Sequence, residues 1–389
     1  MVAFVGPFSH DERRTMLMDA AMLELAQYLA GTNLFALLFA AFMFDIPRYT
    51  FSLISLALLL SLRRKHRLSD TPHDTATVSV IVPAFNGAGG LNRSIASLSR
   101  QTLPPLEIIV VDDGSTDATR AIAEGARSRG EIDMVICHGT RCGRSAAVNA
   151  AARFAHGDLL LTVDSDTVVG PTTLARMVAA FRNPHVAAAS CNVDVTNERQ
   201  TLTTGLQGVE YLMSFSAGRS FLDVIGAIAC CSGACSIYRR DVFRRQGGLD
   251  VGPGEDLEFT LRLRRLGYAV RFVPDAWVMT AVPDNPVSLL RQRARWDRDA
   301  LRIRFMMYGE FSLSQPRERL PDTFQRLDFI VLDLLPTLIF PFYLIYLVAL
   351  FGANTILFLS AVYVLMLFIS LFNVMIASAL FNRSASLFS

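Results

Sequence analysis

Pairs of carboxylates recur through the middle of this sequence, and each pair falls where a strand or helix should give way to a loop. The pairs are Asp112 with Asp113, Asp164 with Asp166, and Glu255 with Asp256, and a Gln292-Arg293-Ala294-Arg295-Trp296 element follows them. Two carboxylates one residue apart can hold a hard divalent cation that also takes phosphate oxygens, and such an ion neutralises a leaving diphosphate. A further carboxylate can accept the proton of an attacking hydroxyl. The motifs therefore predict group transfer from a diphosphate-activated donor, with Asp256 as the base.

Each of these motifs also has a plainer interpretation. Asp164-Ser165-Asp166 alone could be a solvated turn, and Asp-Gly-Ser-Thr-Asp from Asp113 onward is ordinary turn and capping chemistry. Glu255 and Asp256 open a predicted helix, where carboxylates often serve only as caps. The apolar run before Asp164 and the joint presence of the motifs favour the functional interpretation.

The segment around the first two acidic pairs predicts strands that alternate with helices. The predicted strands are 78–83, 107–111, 133–137 and 159–163, and the predicted helices between them are 91–100, 118–129 and 146–155. Apolar, β-branched runs are typical of buried strands, and the alternation predicts a parallel sheet with helices on both faces. Ligands of such sheets bind at the carboxyl ends of the strands, which is where both acidic pairs fall.

The Gln292–Trp296 element lies in an amphipathic stretch that continues through Arg304. Arginines at this density can clamp phosphate bidentately, and Trp296 offers a flat apolar face to a sugar ring. The alternative is an interfacial helix whose basic face meets lipid headgroups and whose tryptophan is an anchor. Both interpretations are compatible with each other.

Composition indicates that apolar segments flank this middle part of the chain. The 389 residues are 52% hydrophobic and 19% charged, with a mean hydropathy of +0.36, which is too apolar for one soluble domain. Residues 25–62 predict a transmembrane hairpin, with one kinked helix as the alternative, and residues 328–380 predict two further spans. The basic cluster at 63–67 favours a cytosolic middle part. The chain is thus expected to be an inner-membrane protein with a cytosolic segment at 1–24 and a short tail at 381–389.

Charge and cysteine usage indicate neither a nucleic-acid partner nor a cysteine metal site. The net charge is only +2, so the balance does not indicate a nucleic-acid partner. The six cysteines lack metal-binding spacing and are expected to be free, buried thiols.

Taken in order, these motifs resemble those of the membrane-bound family 2 glycosyltransferases, above all the processive synthases of hyaluronan, chitin, poly-N-acetylglucosamine and cellulose. The motifs that carry the resemblance are Val82-Pro83-Ala84-Phe85-Asn86, Asp112-Asp113-Gly114-Ser115, Asp164-Ser165-Asp166, Ser232-Gly233-Ala234, Gly254-Glu255-Asp256 and Gln292-x-x-Arg295-Trp296. The resemblance implies an α/β fold of the GT-A (Rossmann-like) type at 76–285, followed by interfacial amphipathic helices at 286–327. It also implies inverting transfer from a nucleotide-sugar, usually a UDP-sugar, to a saccharide.

On the donor side, the resemblance implies that Asp112 and Asp113 contact the uridine and that Ala84 lines its pocket. Asp166, with Asp164, would ligate Mg2+ or Mn2+. Arg295 would hold the diphosphate of the donor. Where many relatives carry a lysine, this chain has Arg144, which can still pair with phosphate or nucleotide as a fork rather than a point charge.

On the acceptor side, Asp256 would be the catalytic base. Trp296 would stack beneath the acceptor sugar, and Ser232 and Gly233 would shape its entrance. The remaining motif residues, Glu255 and Gln292, are expected to contribute to substrate binding.

Several functional alternatives stay open. The enzyme could extend a polysaccharide and export it, alone, as a homo-oligomer or with an export partner, or it could add one sugar to a lipid-linked acceptor. Four predicted spans are few for a pore. A non-catalytic nucleotide-binding component of a membrane transporter is the alternative of a different class.

Overall fold

The computed structural model describes residues 34–43, 46–62, 76–250, 252–309 and 319–381. The predicted segment 1–24, the first nine residues of the predicted hairpin and the basic cluster at 63–67 lie outside the described residues, as does the tail after 381. By contacts the chain divides into two units: residues up to 48 with 329–371, and residues 49–328 with 372 onward.

One eight-stranded sheet organises the larger unit. Its strands are β1 (Val78–Ala84), β2 (Glu107–Asp112), β3 (Met134–Cys137), β4 (Leu159–Val163), β5 (Val168–Val169), β6 (Val186–Val195), β7 (Cys235–Arg239) and β8 (Ala269–Thr280). Their order across the sheet is β3-β2-β1-β4-β7-β6-β8-β5. The first four strands in this order, β3, β2, β1 and β4, are parallel to one another, as the alternation of strands and helices predicts.

Beyond β4 the prediction of a wholly parallel sheet is wrong, because β7 runs antiparallel to both β4 and β6. The backbone N–H of Asp164 donates to the carbonyl of Ala234 (3.1 Å), so β7 begins beside the carboxyl end of β4 and can only run back along it. The loop that contains Ser232 and Gly233 is thereby held at the same edge of the sheet as Asp164.

The apolar strands are buried on both faces. Every residue of β1 and β4 is buried. Successive side chains of a strand point to opposite faces. Val80 and Val82 accordingly belong to one hydrophobic cluster, while Ile81 belongs to the other. Full burial of each such side chain contributes about 1.5–3 kcal/mol, so β1, β2 and β4 form a rigid base for the loops at their ends.

Helices precede, alternate with and follow these strands along the chain. They are α1 (Leu34–Met43), α2 (Ile46–Leu62), α3 (Leu91–Leu98), α4 (Thr119–Ser128), α5 (Arg144–Phe154), α6 (Thr173–Ala179), α7 (Leu202–Glu210), α8 (Arg219–Val224), α9 (Arg240–Arg245), α10 (Glu255–Arg265), α11 (Pro286–Leu301), α12 (Leu320–Asp328), α13 (Leu335–Phe351) and α14 (Thr355–Phe381). Three π-helical segments continue α7, α11 and α12, at Tyr211–Gly218, Arg302–Met307 and Phe329–Leu334. The three helices predicted between the first strands are confirmed within two residues at either end.

The apolar ends of the chain are helical where the structure describes them. The helical run Leu320–Phe381 has a window of mean hydropathy 2.5, and by length and composition it is the one candidate for a membrane span among the described residues. A 3-10 turn at Gly352–Asn354 separates α13 from α14 within this run. The two separate spans expected within 328–380 stay a prediction. Crossing of a membrane by the hairpin at 25–62 stays a prediction.

Candidate active site

Asp164 and Asp166 follow β4 on a tight turn, in which the N–H of Thr167 donates to the carbonyl of Asp164 (3.0 Å). The turn packs closely on the start of α3, because a Cβ placed on Gly90 would lie 2.7 Å from the Cα of Asp166. Loss of surrounding water, and then the charge of Asp164, raise the pKa of the Asp166 carboxyl above its usual range. Two carboxylates that repel each other in this way suit a divalent cation.

Arg144 joins the acidic motif after β4 to the acidic motif at the start of α10. Its Nε donates to Asp164 Oδ1 (2.9 Å), its Nη1 to Glu255 Oε1 (3.1 Å) and its Nη2 to the carbonyl of Gly233 (2.5 Å). Burial disfavours its charge, but the nearby Asp164 and Glu255 carboxylates raise the pKa of Arg144 further above its usual range. The guanidinium predicted to meet phosphate or nucleotide is thus found on two site carboxylates. A direct contact with the donor stays a prediction.

Asp256 lies in the first turn of α10, directly against the Ser232–Gly233 loop. Its Oδ2 accepts from the N–H of Gly233 (3.2 Å), and its Oδ1 accepts from the N–H of Leu257 (2.8 Å). The helix begins after Gly254, whose φ of 85° falls in the left-handed region, where glycine avoids the usual steric cost. Neither Glu255 nor Asp256 is the N-cap residue. Asp256 nevertheless accepts an N–H of the first helical turn, so the capping interpretation and the role of base both stay open.

Two further contacts fix α10 against its neighbours. Thr260 Oγ1 donates to the carbonyl of Asp256 (2.7 Å) and accepts from the N–H of Cys231 (2.9 Å), which ties α10 to the loop before Gly233. Burial, and then the charge of Asp256, raise the pKa of Glu255, while Arg144 opposes that shift. The acidic pair of α10 is thus held by hydrogen bonds to the backbone and by one cation.

Asp112 and Asp113 end β2 and are both 3% exposed. Asp113 Oδ1 accepts from His138 Nδ1 (2.8 Å) and from the N–H of Cys142 (2.9 Å), and Oδ2 accepts from the N–H of Gly143 (2.7 Å). Burial favours the neutral carboxyl, but these hydrogen bonds lower the pKa of Asp113 overall. The side chain therefore anchors the loop between β3 and α5.

Ala84 lies beside this pair, since it is the register partner of Asp112 and its carbonyl accepts from the N–H of Asp113 (2.8 Å). The guanidinium of Arg141 lies 4.0 Å from the centroid of the Phe85 ring, at the same edge of the sheet. Contact of Ala84, Asp112 and Asp113 with a nucleotide stays a prediction.

Sequence reasoning missed Asn149 as a support of the site. Its Oδ1 accepts from the N–H of Leu249 (3.0 Å), and its Nδ2 donates to the carbonyl of Leu249 (2.5 Å). The amide thus fixes the segment that leads to Gly254 and α10. Asn149 lies five residues after Arg144 in the sequence, but its partner is 100 residues away and follows only from the fold.

The Gln-x-x-Arg-Trp element forms part of α11. Gln292 is half-buried, and its Oε1 has no hydrogen-bond partner among the residues that the structure describes. Arg293 pairs with Glu210 (2.7 Å) and lies 4.4 Å from the Trp296 ring centroid. Arg295 and Trp296 are both exposed. Their predicted contacts with diphosphate and acceptor sugar stay untested.

The end of α11 is nevertheless close to the start of α10. A Cβ on Gly254 would lie 2.7 Å from Ile303 Cδ1 and 3.1 Å from Asp299 Cβ. Arg302 Nη2 donates to the carbonyl of Pro253 (2.5 Å). The residues after the Gln-x-x-Arg-Trp motif therefore support the loop at Pro253 and Gly254, which leads into Glu255 and Asp256.

The cysteines differ from the sequence prediction in their burial. All six are free; Cys191, Cys231 and Cys235 are buried, Cys230 is half-buried, and Cys137 and Cys142 are exposed. The prediction of buried thiols is wrong for Cys137 and Cys142 because they lie at and after the end of β3, outside the apolar core.

Comparison with known proteins assigns the class. Residues 79–247 match the sequence profile of Glycosyl transferase family 2, so this segment is similar to the domain of that family. The resemblance inferred from the motifs is confirmed, and an enzyme is favoured over a non-catalytic transport component.

Two curated proteins similar to this chain have the same name. The chain is 34% identical over 241 residues to an N-acetylglucosaminyltransferase of Rhizobium meliloti (strain 1021), with 59% of this chain and 57% of that protein covered. It is 33% identical over 258 residues to an N-acetylglucosaminyltransferase of Rhizobium leguminosarum bv. viciae, covering 61% and 60%. The chain thus spans about three-fifths of the length of the curated relatives that it matches.

A solved structure shares the fold. The mannosyltransferase PcManGT from Pyrobaculum calidifontis, solved in complex with GDP-Man and Mn2+, matches 90% of this chain and 100% of its own with a TM-score of 0.63 and 21% identity. The likeness supports the predicted GT-A-like α/β fold, with the mixed sheet described above.

Proposed function

We propose that this protein transfers N-acetylglucosamine from a UDP-linked donor to a saccharide hydroxyl, with inversion at the anomeric carbon. The observation that carries the proposal is the network around Arg144, which joins Asp164 after β4, Glu255 of α10 and the Gly233 loop. At one end of this network Asp164 belongs to the predicted metal-diphosphate site. At the other end the Gly233 loop hydrogen-bonds Asp256, the predicted base. The sugar is proposed from the relatives, which are named N-acetylglucosaminyltransferases.

Asp256 is the proposed base. Its two oxygens have about four lone pairs in all, of which two accept backbone N–H groups and one meets the Cys230 thiol. An acceptor hydroxyl that donates to the remaining lone pair can pass its proton to Asp256 while its oxygen attacks the anomeric carbon. The bond from that carbon to the diphosphate oxygen breaks, its electron pair leaves with UDP, and the new glycosidic bond forms on the opposite face.

Asp164 and Asp166 are the proposed ligands of Mg2+ or Mn2+. The residues fit such an ion, because burial and then the charge of Asp164 raise the pKa of Asp166, and a hard cation stabilises two such carboxylates in their charged form. A bound cation would supply charge neutralisation for the leaving diphosphate. Arg144 keeps Asp164 oriented, and Arg295 is proposed to hold the diphosphate from α11.

The remaining residues are proposed to bind the two ends of the substrate pair. Ala84, Asp112 and Asp113 would contact the nucleotide of the donor. Trp296 would stack on the acceptor sugar, with Ser232, Gly233, Glu255 and Gln292 lining its entrance. The apolar helices at both ends of the chain support a location in the bacterial inner membrane with the catalytic domain in the cytosol.

The acceptor separates two versions of this proposal. The first extends a saccharide, with or without export through the membrane helices alone, in a homo-oligomer or with a partner; the second adds one sugar to a lipid-linked acceptor. Purified full-length protein in nanodiscs, given Mn2+ or Mg2+, a panel of UDP-sugars and either chito-oligosaccharide or lipid acceptors, distinguishes them. UDP release with UDP-N-acetylglucosamine and chelator-sensitive extension of the saccharide is expected; a single-sugar glycolipid supports the second version, and no release with any donor contradicts both.

A further inference from the structure

Beside the predicted nucleotide edge lies a second group of metal-ligating side chains, separate from Asp164 and Asp166. An oxygen of Asp113, a ring nitrogen of His138 and the sulfur of Cys142 all lie within 4.8 Å of one another. Zinc binds such atoms at about 2.0–2.3 Å, so its ligand atoms must come closer together than this upper limit. Cys142 is exposed on a loop, and its thiol donates to the carbonyl of Thr140 (3.3 Å). A thiol is a weak donor, so a metal ion would have to replace only this one weak hydrogen bond.

The loop that carries these residues is already shaped. A Cβ on Gly114 would lie 2.7 Å from the backbone of both Thr140 and Arg141, so the loop packs tightly on the segment after Asp113. The N–H of His138 extends the pairing with β2 by donating to the carbonyl of Asp112 (2.9 Å). Two of the three candidate ligands thus have positions fixed by backbone contacts, which limits the reorganisation that a metal would require.

The hydrogen bonds of Asp113 leave room for one metal bond. Oδ2 binds the N–H of Gly143 and Oδ1 binds the N–H of Cys142, while His138 Nδ1 meets the second lone pair of Oδ1. Because an ionised carboxylate only accepts, the proton between Asp113 and His138 lies on the ring nitrogen. A cation that replaces this proton therefore preserves both backbone hydrogen bonds of Asp113.

We propose that Asp113, His138 and Cys142 form a binding site for Zn2+, with the fourth position open to water. Oxygen, nitrogen and sulfur ligands suit a borderline cation such as Zn2+, whereas Mg2+ prefers oxygen ligands alone. On binding, the Cys142 thiol releases its proton to solvent, and the His138 proton moves from Nδ1 to Nε2 through solvent. Three protein ligands and a solvent ligand complete a tetrahedral ion.

Occupation of this site has a consequence that rests on the proposed function. In that proposal Asp113 contacts the nucleotide of the donor. Zn2+ coordinated to Asp113 Oδ1 occupies this oxygen and places a cation beside the nucleobase. Zn2+ and the nucleotide-sugar then compete, and zinc becomes an inhibitor of donor binding at a position distinct from Asp164 and Asp166.

Substitution by Co2+ tests the site without any use of activity. Co2+ added to the full-length protein in detergent is expected to give a thiolate-to-cobalt charge-transfer absorption, which carboxylates at Asp164 and Asp166 cannot produce. The absorption should disappear in Cys142→Ser and weaken in His138→Asn, which keeps an amide donor for Asp113. The neighbouring exposed thiol supplies the matched control, since Cys137→Ser should retain the absorption.

Competition between the protein and a chromophoric chelator for Zn2+ measures the affinity of the site. We expect this affinity to fall by at least about tenfold in Cys142→Ser. No charge-transfer absorption in the wild type, or one equally strong in Cys142→Ser, would overturn the site. Unchanged thermal unfolding of the variants separates ligand loss from misfolding, because the Cys142→Ser change leaves in place the backbone N–H that donates to Asp113.

The effect on the donor is read separately. At saturating Mn2+, Zn2+ should inhibit UDP release by the wild type at concentrations at least about tenfold lower than for Cys142→Ser. Equal sensitivity of the two proteins would refute competition at Asp113 even where the cobalt spectrum supports the site. Absence of any transferase activity would contradict the proposed function and leave the cobalt result to decide the metal site alone.

Discussion

Arg144→Gln is the substitution that most directly perturbs the network at the centre of the site. The change removes a cation whose side chain is only 25% exposed and which contacts Asp164 and Glu255 at 2.9 and 3.1 Å. Hydrogen bonds to charged groups contribute about 1.5–3 kcal/mol each, and removal of one partner of a buried ion pair costs about 3–5 kcal/mol. Because a quarter of the side chain reaches solvent, we expect the free energy of unfolding to fall by roughly 2–3 kcal/mol.

That loss should be visible as heat sensitivity. For a domain of this size each kcal/mol lowers Tm by about 2–4 °C, so the detergent-solubilised variant should unfold roughly 4–12 °C below the wild type. Activity at a temperature where both are folded should fall by about 10-fold or more, since misplacement of Asp164 and α10 affects the transition state. Arg144→Lys keeps the charge without the fork and should recover part of both losses.

Arg153→Gln is the matched control, because Arg153 is exposed near the end of the same helix. It should change neither Tm nor rate by more than the error of measurement. If Arg144→Gln also unfolded at the wild-type temperature and retained the wild-type rate, the reasoning that Arg144 joins Asp164 to α10 would be refuted.

Three further predictions follow from close contacts of the site and the sheet. Gly90→Ala places a methyl group against Asp166 Cα and should lower the rate and the apparent affinity for Mn2+ by about tenfold, whereas Gly89→Ala, with open space around its Cβ, should leave the rate, measured as UDP release, unchanged. Asn149→Ala removes both hydrogen bonds to Leu249 and should cost about 1–3 kcal/mol in thermal stability; an unchanged Tm would contradict its assigned support of α10. Burial opposes the charge of Glu107, but hydrogen bonds from Ser79 and His156 lower its pKa below the ordinary 4.5, so its contribution is present above pH 4.5 and is lost as pH falls through the lowered value. Glu107→Gln should therefore reduce the free energy of unfolding by about 1–2 kcal/mol at pH 7 and by progressively less as the pH falls through the lowered pKa. A reduction that does not change with pH would argue against the ionic hydrogen bonds.

The strands and acidic motifs of the first half could be predicted because they depend on local patterns. β1 and β4 are short apolar runs buried on both faces, and each leads directly into its motif. The antiparallel entry of β7 could not be predicted, since it depends on the contact of Ala234 with Asp164 across 70 positions of sequence. The same limit applies to the bond of Asn149 to Leu249 and to the position of Arg144 between two carboxylates.

Individual roles within the motifs were harder to predict than the motifs themselves. Asp113 was assigned to the nucleotide from its motif alone, yet its oxygens hold the loop at His138, Cys142 and Gly143. Hydrogen bonds of this kind depend on the path of a loop between β3 and α5, which no periodic pattern encodes. The exposure of Cys142 follows from the same loop.

The most direct test of the central claim compares Asp256→Asn with Asp241→Asn in purified full-length protein. Both residues lie in the first turn of a helix, but Asp241 is exposed and pairs only with Arg245 in the described structure. With UDP-N-acetylglucosamine, Mn2+ and a chito-oligosaccharide, we expect UDP release and product extension to fall by at least about 100-fold in Asp256→Asn, as general bases contribute about 10²–10⁴-fold, and to stay at the wild-type level in Asp241→Asn. Wild-type turnover by a folded Asp256→Asn protein would contradict the account.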